Sequence, residues 1–237
     1  MKLYDEVIGR VLEQLETKSG RTLPVLEDTW KSVTDRSMIL RSDMAYELGG
    51  EGLPAIGMTL FTDSKEWSEK DSVTVIGEDL PMITGDVPYA RVAIVQMEEG
   101  VLQEGERLYR AIRDLEYTRY HFYPEGFMMR VSSSKGRESV RVGKEALTKG
   151  LDFSKVGAQM IKAFHKHAGV KSVSLFYITK DTFDYKTLGS LQREAESITK
   201  AIDHISTGAI MDCTACNLQT VCDEVEGLRQ LHFNKGE

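Results

Sequence analysis

Cysteine is scarce in this chain and confined to one stretch. The 237 residues include three cysteines, Cys213, Cys216 and Cys222, and none occurs elsewhere. Three thiols cannot all pair with one another, so a disulfide framework is excluded as the main support of the fold. In a reducing compartment, a cluster of cysteines instead indicates metal binding or catalysis.

Long apolar runs are also missing. No stretch approaches the roughly 18 consecutive apolar residues that a membrane-spanning helix requires. The first twenty residues are charged and periodic, without the apolar region of a secretory signal peptide. We therefore expect a cytoplasmic protein that has no membrane among its partners.

Positive charge is in deficit. The chain carries 37 acidic and 30 basic residues, which gives a formal net charge of -7. Because binding to phosphate backbones favours a basic surface, this balance argues against nucleic acid as a partner. With 41% hydrophobic residues, the chain is nevertheless long enough to bury a sizeable core.

The hydrophobic pattern predicts an α+β fold with a mixed sheet and packed helices. Apolar residues at helical spacing predict an N-terminal helix from Tyr4 to Leu15, and the twin glycines Gly49 and Gly50 predict a turn with positive φ. The polar, basic stretch 132–139 is expected to be a loop. Strands are expected at 43–50, 55–63, 72–77, 89–98, 127–133 and 170–179, and further helices at 102–120, 143–149, 154–167 and 185–205.

These elements divide the chain into three parts. Residues 1–36 form an N-terminal helical segment, residues 37–205 an α+β domain, and residues 206–237 a cysteine-rich segment that binds a metal or cluster. In the third part, Cys213 and Cys216 form a C-x2-C unit, Cys222 follows after five residues and His232 after nine more.

The spacing of these four residues is that of a metal site. Three thiolates and one imidazole could close a tetrahedral zinc site. Three thiolates could equally hold three corners of a 4Fe–4S cluster, and soft ligands alone do not decide between the two. Buried apolar thiols are the less favoured alternative, because such cysteines scatter over core positions. A thioredoxin-type redox pair is disfavoured too. Such a pair lies at a strand-to-helix turn, whereas the C-x2-C unit here follows a predicted long helix.

Several sequence blocks, in the same order, resemble one family. “DMAYELGG” is similar to a family stretch ending in E-F-G-G or E-L-G-G, and “VTVIGEDL” resembles V-x-V-I-G-P-D-I. “GFMMRVSSSKGRESVRVGKEALTKGLDFSKVG” follows a block built on L-R-V-S-K-D and K-G-F-x-F, and “VKSVSLFYITKD” matches V-Q-V-T-I-F-T-D. From about Asp43 to the C-terminus, the chain thus resembles the acetyl-CoA synthase family, the β subunit of the carbon monoxide dehydrogenase/acetyl-CoA synthase complex.

The resemblance implies that the three cysteines bind an iron–sulfur cluster, with zinc as the alternative. The family's fourth cysteine, ten positions after the third, corresponds here to His232, or to Arg229 if “EGLR” is laid over the family's G-L-C. The family's Cys-Gly-Cys, which holds its second nickel, has no counterpart in this sequence. Ser139 stands where the family has a tryptophan associated with coenzyme A docking.

These departures imply an iron–sulfur protein without the nickel site and not a complete acetyl-CoA synthase by itself. Its expected role is redox or accessory, in anaerobic one-carbon or corrinoid-linked metabolism, with a corrinoid protein or a redox protein as partner. The alternative is a zinc-stabilised binding module or docking scaffold without redox chemistry.

Two other groups of residues are interpreted as surface. His165 and His167 lie two apart on a predicted helix and are expected to be solvated. A solvated loop is favoured over a phosphate site for the basic cluster formed by Arg130, Lys135, Arg137, Arg141 and Lys144.

Overall fold

The computed structural model describes residues 2–16, 20–25, 30–34, 37–101, 105–132, 136–206 and 218–225. Within these residues the chain forms six α-helices and eight β-strands, so the α+β fold class is confirmed. The helices are α1 (Asp5–Glu16), α2 (Gly105–Tyr117), α3 (Lys144–Thr148), α4 (Phe153–Phe164), α5 (Tyr185–Ser206) and α6 (Gln219–Glu224). The strands are β1 (Arg21–Leu23), β2 (Met44–Leu48), β3 (Ala55–Thr62), β4 (Ser72–Ile76), β5 (Tyr89–Met97), β6 (Phe127–Ser132), β7 (Arg137–Gly143) and β8 (Val170–Ile178).

All eight strands belong to one mixed sheet. The strand order is β1-β4-β8-β5-β3-β7-β2, and β6 pairs with β7 outside this path. The pairs β3–β5 and β4–β8 are parallel, whereas the other pairs are antiparallel. Between β3 and β7 the pairing is a single bridge, Ile56 to Arg137.

The centre of the sheet is fully buried. Every residue of β3 and of β5 is buried, in accordance with the apolar runs “AIGMTLFT” and “YARVAIVQM”. Strands covered on both faces lose the alternation of apolar and polar residues, which explains these runs. Arg91 is the single charged residue in the two strands, and its side chain has no exposed area.

Helices cover the sheet. Helix α4 packs against β4 and β8, α5 against β3, and α1 and α2 against α5. The side chain of Asp152 caps α4 by accepting the N–H of Lys155, as expected for an N-cap aspartate. Gly157 allows the close approach of α4 to β4, because a Cβ there would lie 2.5 Å from Val73 Cγ2. None of the described helices is long and apolar enough to cross a membrane.

Most element predictions are confirmed, including the N-terminal helix. Of the twin glycines expected to form a turn with positive φ, Gly49 has a positive φ and Gly50 does not. The prediction of a loop over the whole of 132–139 is wrong, because both ends of this stretch belong to strands. Ser132 ends β6 and Arg137 begins β7, so that the two strands form a hairpin around residues 133–135, which lie outside the described residues. The error arose because Glu138 is charged and yet occupies a buried position of β7, alternating with Val140 and Val142.

Candidate functional site

Of the four predicted metal ligands, Cys222 alone lies within the described residues. Cys213, Cys216 and His232 fall in 207–217 and 226–237, outside them. Cys222 is half-buried on α6, and its backbone N–H donates to the carbonyl of Leu218 at 3.0 Å. The convergence of the four side chains therefore stays a prediction.

Helix α6 is held against the protein core. Leu218, Val221, Cys222 and Val225 pack onto the core cluster, and α6 contacts α5. Val225 also borders a small cavity of about 240 Å³ together with residues of α1 and α5. One thiol of the cysteine cluster is thus carried by an element that packing places beside the two helices.

The donor set suits either proposed metal centre. Thiolates are the ligands that iron–sulfur clusters use, and three thiolates with an imidazole also suit zinc. Among the residues that the structure describes, no three His, Cys, Asp or Glu side chains lie close enough to bind a metal ion.

A cavity of about 460 Å³ lies between α2, α5 and the β6–β7 hairpin. Its α5 wall includes Glu196, Thr199 and Asp203, and Asp203 is three residues before the end of α5. The cysteine segment follows directly, since Cys213 is seven residues after Ser206. A hydrogen bond to Asp203 raises the pKa of Tyr109 and joins α2 to α5 at this point.

A buried ion pair lies beside this cavity. The guanidinium of Arg91 donates from Nε and Nη2 to the two carboxylate oxygens of Glu138, at 2.6 and 2.7 Å. Burial alone would lower the pKa of Arg91, but the charge and hydrogen bonds of Glu138 more than offset it, so the pKa is raised. Gly57 leaves the necessary space, because a Cβ there would lie 2.1 Å from Glu138 Oε2.

A second carboxyl in the cavity wall, that of Glu116, has no such ion pair within the described part of the chain. Burial raises the pKa of Glu116, the charge of Arg119 opposes the rise, and the charge of Glu196 adds to it. The buried Nε of Arg119 has no hydrogen-bond partner among the described residues. The cavity wall therefore places a carboxyl whose pKa is raised by burial near a guanidinium, which marks it as a candidate functional site.

The residues of the basic cluster that the structure describes do not form an anion site. Arg137 donates to three carbonyls, those of Gly49, Gly50 and Leu53, at 3.0–3.1 Å. Arg130 pairs with Glu47, while Arg141 and Lys144 donate to the carbonyls of Ile39 and Ser42. These side chains bind residues 39–53, which precede β3, to β6, β7 and the start of α3. Lys135 lies outside the described residues.

His165 and His167, expected on a helix, both follow the end of α4 at Phe164 and have polar partners. His165 Nε2 and a carboxylate oxygen of Asp71 lie 2.9 Å apart, within hydrogen-bonding distance, and both side chains are 34% exposed. His167 Nε2 shares a hydrogen bond of 2.8 Å with Thr118 Oγ1. Both contacts join α4 to neighbouring segments, which is a structural role.

The residues that form most of the sheet match a known protein family. A family model described as “CO dehydrogenase/acetyl-CoA synthase complex beta subunit” (CdhC) matches residues 32–182, well over half of the chain. The chain belongs to this family. The match includes the buried Arg91–Glu138 pair and ends before α5, so it does not extend over the cysteine segment. A comparison with curated proteins found no match.

Sequence reasoning missed Arg91, Glu138 and Glu116. A signal existed for the first of these, since an arginine inside the apolar run “YARVAIVQM” demands a buried partner. Nothing in the sequence indicated that this partner is Glu138, 47 residues later. Ser139, at the family's tryptophan position, is half-buried on β7 opposite Arg130.

Proposed function

We propose that this member of the acetyl-CoA synthase β-subunit family is an iron–sulfur protein that lacks the nickel site. It serves a redox or accessory role in cytoplasmic, anaerobic one-carbon or corrinoid-linked metabolism. Its partner is a corrinoid protein or a redox protein of the same metabolism, in agreement with a family named for a subunit of a multi-protein complex.

The observation that supports this proposal is the position of Cys222. Helix α6 packs on α5, the helix that directly follows the family-matched core, and carries the thiol half-buried at this junction. A ligand must be held by surrounding structure in order to bind a metal tightly, and packing on α5 provides that support for one ligand. Cys213 and Cys216 are nine and six residues away along the chain.

The cluster would be held by Cys213, Cys216 and Cys222, with His232 as the proposed fourth ligand. Such a cluster, when bound, supplies a site for one-electron transfer. Histidine in place of a thiolate removes a negative charge and raises the reduction potential. Zinc in the same four ligands would instead make the segment a structural binding module, which is the alternative function.

Metal and sulfide analysis of protein purified without oxygen separates the two functions. The proposal expects about four iron and four sulfide per chain, a brown colour and a paramagnetic resonance signal after reduction. A colourless protein with about one zinc and no sulfide would establish the alternative. Cys213→Ser and Cys216→Ser should each remove most of the bound metal.

The fourth ligand is tested by His232→Ala. Ligation predicts a changed visible spectrum and a shifted reduction potential, with iron content largely kept by the three thiolates. An unchanged spectrum and potential would remove His232 from the site. The proposal further expects these 237 residues, after nickel loading, to give no exchange between carbon monoxide and the carbonyl of acetyl-CoA. Exchange well above the blank would contradict it.

A further inference from the structure

Three helices that lie outside the family-matched residues 32–182 pack on one another. They are α1, α5 and α6, and both α1 and α6 contact α5. Helix α6 carries Cys222 and follows α5 along the chain, whereas α1 lies near the opposite end of the sequence. The helix that carries a proposed metal ligand therefore belongs to a cluster formed by both ends of the chain.

Polar contacts fix the direction of α1 along α5. Arg10 Nη1 donates to both carboxylate oxygens of Glu194 at 2.8 Å, and the hydroxyls of Tyr4 and Thr199 share a hydrogen bond of 3.0 Å. Because residue numbers fall along α1 as they rise along α5, the two helices are antiparallel. The beginning of α1 therefore lies beside the C-terminal half of α5, the half from which the chain continues to α6.

The beginning of α1 and the end of α6 line one small cavity of about 240 Å³. Its apolar wall consists of Leu3 and Val7 at the beginning of α1, Ile198 of α5 and Val225, the C-cap of α6. The first three are each at most 3% exposed, and Val225 is half-buried. The rest of the wall is charged and consists of Lys2, Asp5, Glu6 and Glu194. Apolar side chains of three helices thus meet three residues after Cys222.

Helix α6 has only six residues, and a helix of this length is not stable without packing on the rest of a protein. Whatever holds Val225 in place therefore also holds Cys222. We propose that α1 positions Cys222 for metal binding and that a bound metal in turn fixes the beginning of α1, since coupling between two sites is reciprocal. The proposal rests on the proposed function, in that Cys222 binds a metal, and applies equally to an iron–sulfur cluster and to zinc.

The coupling is tested with two leucines of equal burial near opposite ends of α1. Leu3 and Leu15 are each 3% exposed, but Leu15 is not among the described residues that line the cavity. Leu3→Ala should release its metal to an excess of chelator at least about fivefold faster than the parent, and Leu15→Ala at about the parent's rate. Both should lower the urea midpoint of the metal-free protein to a similar extent. Leu3→Met nearly keeps the side-chain volume and should restore slow release.

Hydrogen exchange on the unaltered chain tests the reverse direction of the coupling. The N–H of Ile8 donates to the carbonyl of Tyr4 at 2.8 Å, so its exchange rate reports whether the beginning of α1 is formed. Removal of the metal should speed exchange of the Ile8 amide at least about fivefold. The amide of Met160, in α4 against β4 and β8, should exchange at the same rate with and without metal.

Equal release rates from the two alanine variants would overturn the proposal and leave the proposed function intact, since both variants would still bind metal through the thiols. An Ile8 amide that exchanges equally with and without metal would overturn it in the same way. A parent chain that binds neither iron nor zinc would overturn the proposed function and this proposal together. If either alanine variant fails to fold, Leu3→Val and Leu15→Val make the same comparison with a smaller loss of packing.

Discussion

The buried ion pair of the sheet and the cysteine of α6 differ in how far their polar groups are enclosed by the protein. Arg91 and Glu138 are almost completely buried and satisfy each other through two hydrogen bonds. Cys222 is half-buried on a six-residue helix at the edge of the core. In the first arrangement each charge is neutralised by its partner inside the core, whereas the second leaves a cysteine partly exposed at the edge of the core.

The family relationship rests on the first of these regions. The match covers residues 32–182, which contain seven of the eight strands and the buried ion pair. The cysteine segment lies beyond it. Membership therefore rests on the part of the sequence that forms most of the sheet, and whether the three thiols bind a cofactor has to be tested on the thiols themselves.

The largest expected effect comes from removing one partner of the ion pair. Glu138→Ala leaves the Arg91 charge buried without a counter-charge, which should cost about 3–5 kcal/mol of unfolding free energy. The matched control is Glu194→Ala, which removes an exposed partner of Arg10 and should cost less than about 1 kcal/mol. Both are measured by urea unfolding of the metal-free protein.

The double substitution Arg91→Met with Glu138→Leu sharpens this result. It removes both charges together, so most of the loss caused by Glu138→Ala should be recovered. Equal destabilisation by Glu138→Ala and Glu194→Ala would show that Glu138→Ala does not leave an uncompensated charge at Arg91.

The next effect concerns the glycine beneath the pair. Gly57→Ala puts a methyl group within 2.1 Å of Glu138 Oε2 and should cost about 1–3 kcal/mol, because the carboxylate must leave Arg91 or the strands must separate. Gly85→Ala is the control, since a Cβ at Gly85 meets no atom within 4 Å and its φ is not positive. Similar unfolding midpoints for the two variants would contradict the packing argument.

Local patterns in the sequence were sufficient for most of the core. The alternation in “VKSVSLFYIT” predicted β8, and the apolar spacing from Tyr4 to Leu15 predicted α1. Such patterns depend on burial of neighbouring residues along one element, which a sequence records directly. The same reasoning missed β7, where the buried position of Glu138 depends on a distant arginine.

The candidate site was harder to predict from the sequence than the core, because parts of it depend on residues that lie far apart along the chain. The clustering of three cysteines identified the segment, and the C-x2-C spacing limited the chemistry to thiolate-bound metals. The cavity between α2 and α5 combines Glu116 and Arg119 of the family core with Glu196 of the following helix. Sequence spacing contains no information about which residues of two separate helices face one cavity.

A smaller effect on stability is expected at α6. Cys222→Ser should change the unfolding free energy of the metal-free protein by no more than about 1 kcal/mol, because the side chain is half-buried. The same substitution should remove most of the bound metal. Val225→Ala truncates a neighbouring core contact on the same segment and should leave the metal content unchanged. If the two variants lose metal equally, packing of α6 and not the thiol determines metal binding.

The smallest effect should appear as a pH dependence from Glu116. Burial raises the pKa of this carboxyl in the folded protein above its ordinary value of 4.5. Well below pH 4.5 it is protonated in both states, and its contribution to stability is fully present. As the pH rises through the raised pKa, the unfolded chain ionises more readily than the folded protein, so this contribution is lost.

Glu116→Gln cannot ionise, and its stability relative to the parent should therefore increase between pH 4 and pH 7. Glu69→Gln makes the same charge change at an exposed position and serves as the control in urea unfolding across this range. Identical pH profiles for the two variants would show that the folded protein does not disfavour ionisation of Glu116. The attraction of Arg119 would then offset both burial and the repulsion from Glu196 on α5.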